Sequence, residues 1–405
     1  MKTLFKQSYD DDIKLFKHAG YVRATALFIT LALLLPLLFL LSGAKFTALT
    51  HPIQMLTFAT CALGLMVLTG YTGQVSLGHG AFFAAGAYLF HFLLKLGLPW
   101  YTSMLLTPLA IGGFGYLIAR PTLRMSDVTL AIATLLFVIF IEQAFKQWTF
   151  MGGNDGFRVP KLIVNGHWLF ELVEAAAVRF TDYTPESRRA VVLLERSLSK
   201  YTLYYSSLLV LLFIILIMNN LVRSRLGRSL MAIRDSEVSA RCMGVDVTHY
   251  KSLAMALSAA IAALAGIFFS YNGDRIAPES ISFITSIILL LIVVVGGLGS
   301  IHGAIFGAIA YILLREVLFP ELAELANHWA AHGGGSLGEA LAWFFNIGGL
   351  GDIFFALLLL LILFVEPLGL YARWRKTETF FQTFPFYRAG TFKRQRAYAK
   401  TDRLK

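Results

Sequence analysis

Between Thr25 and Leu370 the sequence returns repeatedly to apolar runs about as long as a bilayer is thick. A helix needs about 20 residues to cross the hydrocarbon core. Helices also satisfy their backbone polar groups within one segment, which open strands in lipid cannot do. Ten such runs are read at roughly 25–42, 52–69, 77–95, 100–119, 127–147, 203–222, 250–271, 282–298, 303–319 and 351–370. With 57% hydrophobic and only 15% charged residues, against about 25% charged in a soluble domain, the chain belongs in a bilayer. The expected fold class is all-α, a polytopic transmembrane helical bundle of about ten spans. The first run follows a polar head and has no small-residue cleavage site after it, so a retained span is expected rather than a signal peptide.

Charge gives an orientation. From Ala372 to Lys405 ten Lys/Arg face two acids, Glu378 and Asp402. Basic residues flanking spans are expected on the cytosolic side. Arg120 and Arg124 after the fourth run, and Arg223, Arg225 and Arg228 after the sixth, agree if both termini are cytosolic. The expected organisation is a cytosolic segment 1–24, a transmembrane domain 25–371 with an external loop 148–202 and a cytosolic loop 223–249, and a basic cytosolic tail 372–405. The external loop carries seven Lys/Arg from Gly152 to Lys200, but six acids nearly balance them and long loops obey the charge rule poorly. Cys61 and Cys242 fall in a span and a loop, at a spacing that suggests neither a metal site nor a disulfide.

An internal repeat interrupts two runs at matching places. His79 to Tyr88, HGAFFAAGAY, aligns without gaps on His302 to Tyr311, HGAIFGAIAY, with seven identities in ten positions. Gly70, Gly73 and Gly78 precede the first copy; Gly296, Gly297 and Gly299 precede the second. Glycine allows close backbone approach and unusual dihedrals, so a helix can stop and restart. Unwound backbone at membrane depth survives only where protein or a wet cavity covers it. Interrupted segments at corresponding places in two halves point to a transport pathway, so Gly73, Gln74, Ser76, Gly78, His79, Gly296, Gly297, Gly299 and His302 are candidate pathway residues. The plainer alternative is that these glycines are small-residue packing faces.

The loop from Arg223 to His249 is too polar to cross a membrane and too long for a simple connector. Leu226, Leu230 and Ile233, then Val238 and Met243, fall near helical spacing, Asp235 or Ser236 can start a second short helix, and Gly244 is placed to end one. A short amphipathic pair of this kind docks on a bilayer or on a partner protein. Its apolar face has no bulky aromatic before Tyr250, which favours a protein partner.

Four spaced blocks then carry a resemblance. LTGYTGQVSLGHGAFFAAGAY, MGGNDGF, the loop AIRDSEVSARCMGVDVTHYKSLAMALSAAIAALAGIFFS, and APESISF followed by VVVGGLGSIHGAIFGA run in order from about Leu56 to Ala308. Together they resemble the permease subunits of branched-chain amino acid ABC importers. The resemblance implies a second, related permease subunit, two cytosolic ATP-binding subunits and a periplasmic substrate-binding protein. It further implies that Arg234, Asp235, Ser236, Glu237, Ala240 and Gly244 form the ATPase coupling element. The sequence departs from the family pattern at RMSDVTLAI, with Asp127 near the place of a usual tyrosine, at Met151 before Gly152 and Gly153, and in an insert from Asn165 to Ser197. A small carboxylate-bearing solute fits broken helices, whose N-termini present N–H groups and a positive dipole end.

Rival classes leave weaker traces. Gly349-Leu350-Gly351-Asp352 matches the pattern of an intramembrane aspartyl protease, but that chemistry needs two aspartates sharing a proton, and Asp352 reads better as a helix cap. Ser76 with His79 lacks an orienting acid. Glu142, deep in LLFVIFIEQAF, is a pathway candidate because intramembrane acids are costly; Lys146, four residues on, offers a structural ion pair instead. An ion-coupled secondary transporter would have only Glu142 and the two repeat histidines to work with. There is no Walker loop and no His-Glu-x-x-His. ATP hydrolysis therefore falls to partner chains, and no cofactor is expected on this one.

Overall fold

The structure is a computed structural model, which describes residues 30–39, 49–122, 127–159, 185–273, 275–278, 283–332, 342–345, single positions between 353 and 364, and 369–383. The elements are helices α1 (Thr30–Phe39), α2 (Thr50–Met66), α3 (His79–Lys95), α4 (Trp100–Thr122) and α5 (Asp127–Gln147), strand β1 (Phe157–Arg158), then α6 (Pro185–Arg223), α7 (Arg225–Asp235), α8 (Glu237–Cys242) and α9 (Val247–Asn272). Strand β2 (Arg275–Ile276) follows, then α10 (Phe283–Gly296), α11 (Ile301–Ile312), α12 (Phe319–Ala331) and α13 (Leu370–Thr383). Two compact units are formed, Met1–Ile53 with Lys161–Ser206, and Gln54–Pro160 with Ser207–Lys405. In the smaller, Tyr204 Oη donates to the Ala32 carbonyl at 2.7 Å and Tyr205 Oη to Leu33 at 3.3 Å, tying α6 to α1.

Among the described residues five helices are long and apolar enough to cross a membrane: Thr50–Tyr71, Trp100–Arg120, Ser199–Arg223, Val247–Asn272 and Ile301–Ala331. Thr30–Phe39 and Phe283–Gly296 are shorter apolar helices, and most of the expected run 351–370 lies outside the described residues. The chain is thus an all-α, multi-pass membrane protein. Two boundaries differ from the sequence expectation. Helix α6 starts at Pro185, so the second part of the Asn165 to Ser197 insert is helical and continuous with a span; the first part lies outside the described residues. Helix α11 does not stop near 319 but passes through a π turn, Leu313–Leu318, into α12.

In the larger unit α9 is the central post. Its small residues, Ala254, Ser258, Ala259, Ala262, Ala263 and Gly266, are buried, and α3 and α4 pack along it. Gly86 on α3 lies on the Ala263 backbone, Gly266 lies on the Phe83 carbonyl, and Gly115 on α4 faces Ala259. Lipid tails are as apolar as leucine, so helices associate by close packing, and small faces permit it. For these glycines packing alone is reason enough. Phe58, Phe83, Phe269 and Tyr311 fill the space beside the post with ring centroids 5.1–6.2 Å apart. At the far end β1 pairs antiparallel with β2, Phe157 opposite Ile276, and the Phe157 ring closes over Tyr88 and His91 at 5.3 and 5.1 Å.

Candidate functional site

The helical path breaks at both glycine clusters, and the two breaks touch. Helix α2 widens into a π turn over Val67–Tyr71, and residues 73–76 are irregular before α3 begins at His79. Gly73 holds φ at +75°. After α10 a short turn with Gly297 at +119° and Gly299 at +81° leads into α11. A Cβ placed on Gly70 would stand 2.8 Å from the Gly299 nitrogen and 3.0 Å from its Cα. Only glycine lets two unwound backbones meet this closely.

The first break is wired by hydroxyls. His79 is fully buried. Ser258 Oγ donates to the Gly64 carbonyl at 2.5 Å, so it accepts from His79 Nε2, also at 2.5 Å. Nδ1 is then the acceptor facing Ser76 Oγ at 3.3 Å, and Ser76 Oγ accepts the Gly78 N–H. This assigns the Nε2–H tautomer. Thr134 Oγ1 on α5 accepts the Leu77 N–H at 3.1 Å, and Ser286 Oγ on α10 accepts the Gly80 N–H at 2.9 Å. Gln74 is buried and its N–H reaches the Leu68 carbonyl. The expectation of N–H groups open to an anion therefore fails at α3: Leu77, Gly78, Gly80 and Ala81 all have acceptors.

The second break is simpler. Ser300 caps α11 by accepting the Gly303 N–H at 3.1 Å. Gly296 lies on the Gly303 carbonyl and Gly307 on the Ile292 carbonyl, so α10 and α11 form a tight pair. His302, half-buried, stacks on Tyr371 of α13 with centroids 5.8 Å apart and planes 9° off parallel.

The loop from Arg223 to His249 folds as the expected helical pair. Ser224 caps α7, Ser236 caps α8 and Asp246 caps α9, each through a side-chain oxygen accepting an early N–H. Gly244, at φ +84°, ends α8. Ile233, Ala240 and Val247 make the elbow's core, with Val245 and Tyr250 packed on it. Glu237 pairs with Lys251 and, at 3.6 Å, with Arg241. Leu230 and Ile233 on α7 are buried, whereas Val238 and Met243, on and just after α8, are 73% and 85% exposed. The break at Ser236 between α7 and α8 resets the helical phase.

Arg234 joins the elbow to both breaks. Its Nη1 donates to the Gly70 carbonyl at 2.8 Å. Its stem covers Gly73, and Nη1 lies 3.4 Å from the Cβ position of Gly299. Asp235, 74% exposed, stands 3.5 Å from Nη2. Glu142 belongs elsewhere: it pairs with Lys146 at 2.8 Å, eight residues and so about 12 Å further along α5 than Thr134. Asp352 lies outside the described residues.

Sequence reasoning misses the hydroxyls of Ser258, Ser286 and Thr134, although single hydroxyls in apolar helices are themselves a signal, since each must find a partner inside the bundle. It also passes over Arg315 and Glu316, an adjacent ion pair on the π turn after α11. Those charges stand in plain view within AYILLREVLF.

A polytopic helical protein with two touching helix breaks, and a helical elbow reaching into them, has the form of a membrane permease. The profile of the family described as "Branched-chain amino acid transport system / permease component" matches residues 48–363, and the chain belongs to that family. It is similar to the high-affinity branched-chain amino acid transport system permease protein LivM of Salmonella typhimurium, 34% identical over 259 residues covering 63% of this chain and 60% of that protein. LivM of Escherichia coli K12 is 33% identical over the same shares. LivH of Salmonella typhimurium, a permease protein of the same kind of system, is 24% identical over 62% of this chain and 79% of its own length. The match thus spans about three fifths of the LivM relatives. No solved structure matches this chain significantly.

Proposed function

We propose that this chain is a membrane-spanning permease subunit of an ATP-driven importer that moves branched-chain amino acids or similar small solutes across an inner membrane. The observation that carries this reading is the family match over residues 48–363. The names of the LivM and LivH relatives support the solute class and suggest a pair of related permeases. In this reading about ten spans form two halves related by the repeat, with both termini cytosolic. Two partner ATPases bind and hydrolyse ATP, and a periplasmic binding protein delivers the solute. The exposed face of the elbow, with Asp235, Val238 and Met243, seats in an ATPase; its buried side, with Ala240 and Ile233, keeps the elbow rigid. The glycine breaks lie at the elbow's end of the bundle, which suits a cytosolic gate better than a midplane solute site.

The test is uptake of radiolabelled leucine, isoleucine and valine into proteoliposomes holding this chain, a related permease and the ATPases, with binding protein and ATP on opposite faces. ATP-dependent uptake is expected, and Val238→Asp with Met243→Asp should release the ATPases and reduce uptake more than tenfold, since buried charge at an interface costs several kcal/mol, roughly 2–5. Uptake driven by an ion gradient without ATP would overturn the reading.

A further inference from the structure

A side chain that served only to meet a partner protein would project away from the bundle. Arg234 turns inward. It stands on the last turn of α7, and its guanidinium reaches the Gly70 carbonyl at 2.8 Å. Gly70 lies in the π turn that ends α2, where the helix runs out of intrahelical donors for its last carbonyls. A guanidinium there makes a charge-assisted hydrogen bond and complements the negative end of the helix dipole. The same side chain fills the space over Gly73 and borders Gly299. Gly70 and Gly299 touch through backbone alone, so neither contributes a side chain to hold that seam shut.

We infer that Arg234 is a positioning residue that clamps the two glycine breaks to each other, so that a displacement of α7 is felt at Gly70 and Gly299 through its side chain. Its coupling role rests on the importer reading given above; its clamping role does not. When α7 moves away, the Gly70 carbonyl loses its donor and the seam loses its cover. The closed seam is therefore conditional on where the elbow sits. This moves Arg234 from the ATPase-facing set to the membrane side of the elbow and leaves Asp235, Val238 and Met243 facing outward.

The clamp is tested first on the purified full chain in nanodiscs, by hydrogen exchange of wild type, Arg234→Met and Arg234→Lys. Met keeps the length of the stem and loses the donors; Lys keeps one donor. In Arg234→Met, amides of residues 67–74 and 297–300 should both exchange about tenfold faster, the factor expected for losing one hydrogen bond to a charged group in a local opening equilibrium. Lys should restore most of the protection, and the middle of α9 should not change. Loosening confined to α7 and α8, or spread evenly over the bundle, overturns the clamp. The second readout is the assembled complex, where Arg234→Met should retain its ATPases and their hydrolysis while solute carried per ATP falls about tenfold, following the same opening factor. Loss of ATPase co-purification equal to that of Val238→Asp with Met243→Asp would make Arg234 a docking contact and overturn the inference. A wild-type complex that carries no solute would sink the importer reading, while the exchange result still decides the clamp.

Discussion

The sequence HGA occurs at His79 and again at His302, but the structure puts the two histidines in opposite settings. His79 is fully buried and hydrogen-bonded at both ring nitrogens, through Ser258 to α2 and through Ser76 to its own loop. His302 is half-buried and lies parallel to the Tyr371 ring in an offset stack. The breaks ahead of them differ in the same sense. The first is a long irregular stretch held by hydroxyls from α5, α9 and α10; the second is a short turn closed by its own Ser300 cap. A repeat in sequence therefore does not imply a repeat in task. The first break is anchored to the bundle, and the second meets it along a bare glycine seam, so the two are suited to part at that seam.

The largest effect should follow from wedging the seam. Gly70→Val would place branched atoms where the Gly299 backbone already stands within about 3 Å of any Cβ, and overpacking of a tight contact costs about 1–3 kcal/mol or more. Loss of uptake is expected with the protein still inserted, together with a clearly lower melting temperature in detergent. A variant that transports normally would show that the two breaks do not approach each other in the working protein.

A smaller and more discriminating effect should separate the histidines. His79→Ala leaves the hydroxyls of Ser76 and Ser258 each short of one hydrogen-bond partner and opens a cavity at a fully buried site, which should cost about 2–4 kcal/mol. His302→Ala removes one half of a partly exposed aromatic stack, worth about 0.5–1.5 kcal/mol. Chemical or thermal unfolding of the two variants side by side measures the difference. Equal losses would break the comparison and restore the symmetric picture that the repeat suggests.

How far the sequence reaches is visible at these same residues. The places where helices stop are legible because glycines beside Gln74, Ser76 and His79 in an apolar run are too costly to face lipid as continuous helix. The elbow is legible for a related reason: serine and aspartate caps, an apolar triplet and Gly244 all mark local structure, and local rules decide it. What Arg234 touches is not legible. Its partners are 164 and 65 residues away in sequence, and a long cation on a polar loop gives no local sign of folding back. The restart at Ser236 is legible from its cap, but the exposure of Val238 and Met243 on the far side of it is not, because spacing alone does not say which face of so short a helix is covered. Glu142 draws too much notice and Glu316 too little, since a lone acid in an apolar run stands out more than an Arg-Glu dipeptide that neutralises itself.

The smallest effect tests whether the second break is truly self-contained. Ser300 accepts the Gly303 N–H within one turn, whereas Ser258 joins three helices by accepting from His79 on α3 and donating to Gly64 on α2. Ser300→Ala should then lose an ordinary cap, about 1 kcal/mol. Its exchange effect should remain in the first turn of α11, because the other N–H donors of that turn do not pass through the hydroxyl. Ser258→Ala should loosen α2, α3 and α9 together, since one oxygen closes contacts among all three. Hydrogen exchange on both variants reads the spread directly. If Ser300→Ala also loosened residues 67–78, the seam at Gly70 and Gly299 would be transmitting strain from the second break to the first, and the anchored and self-capped breaks would be one cooperative element.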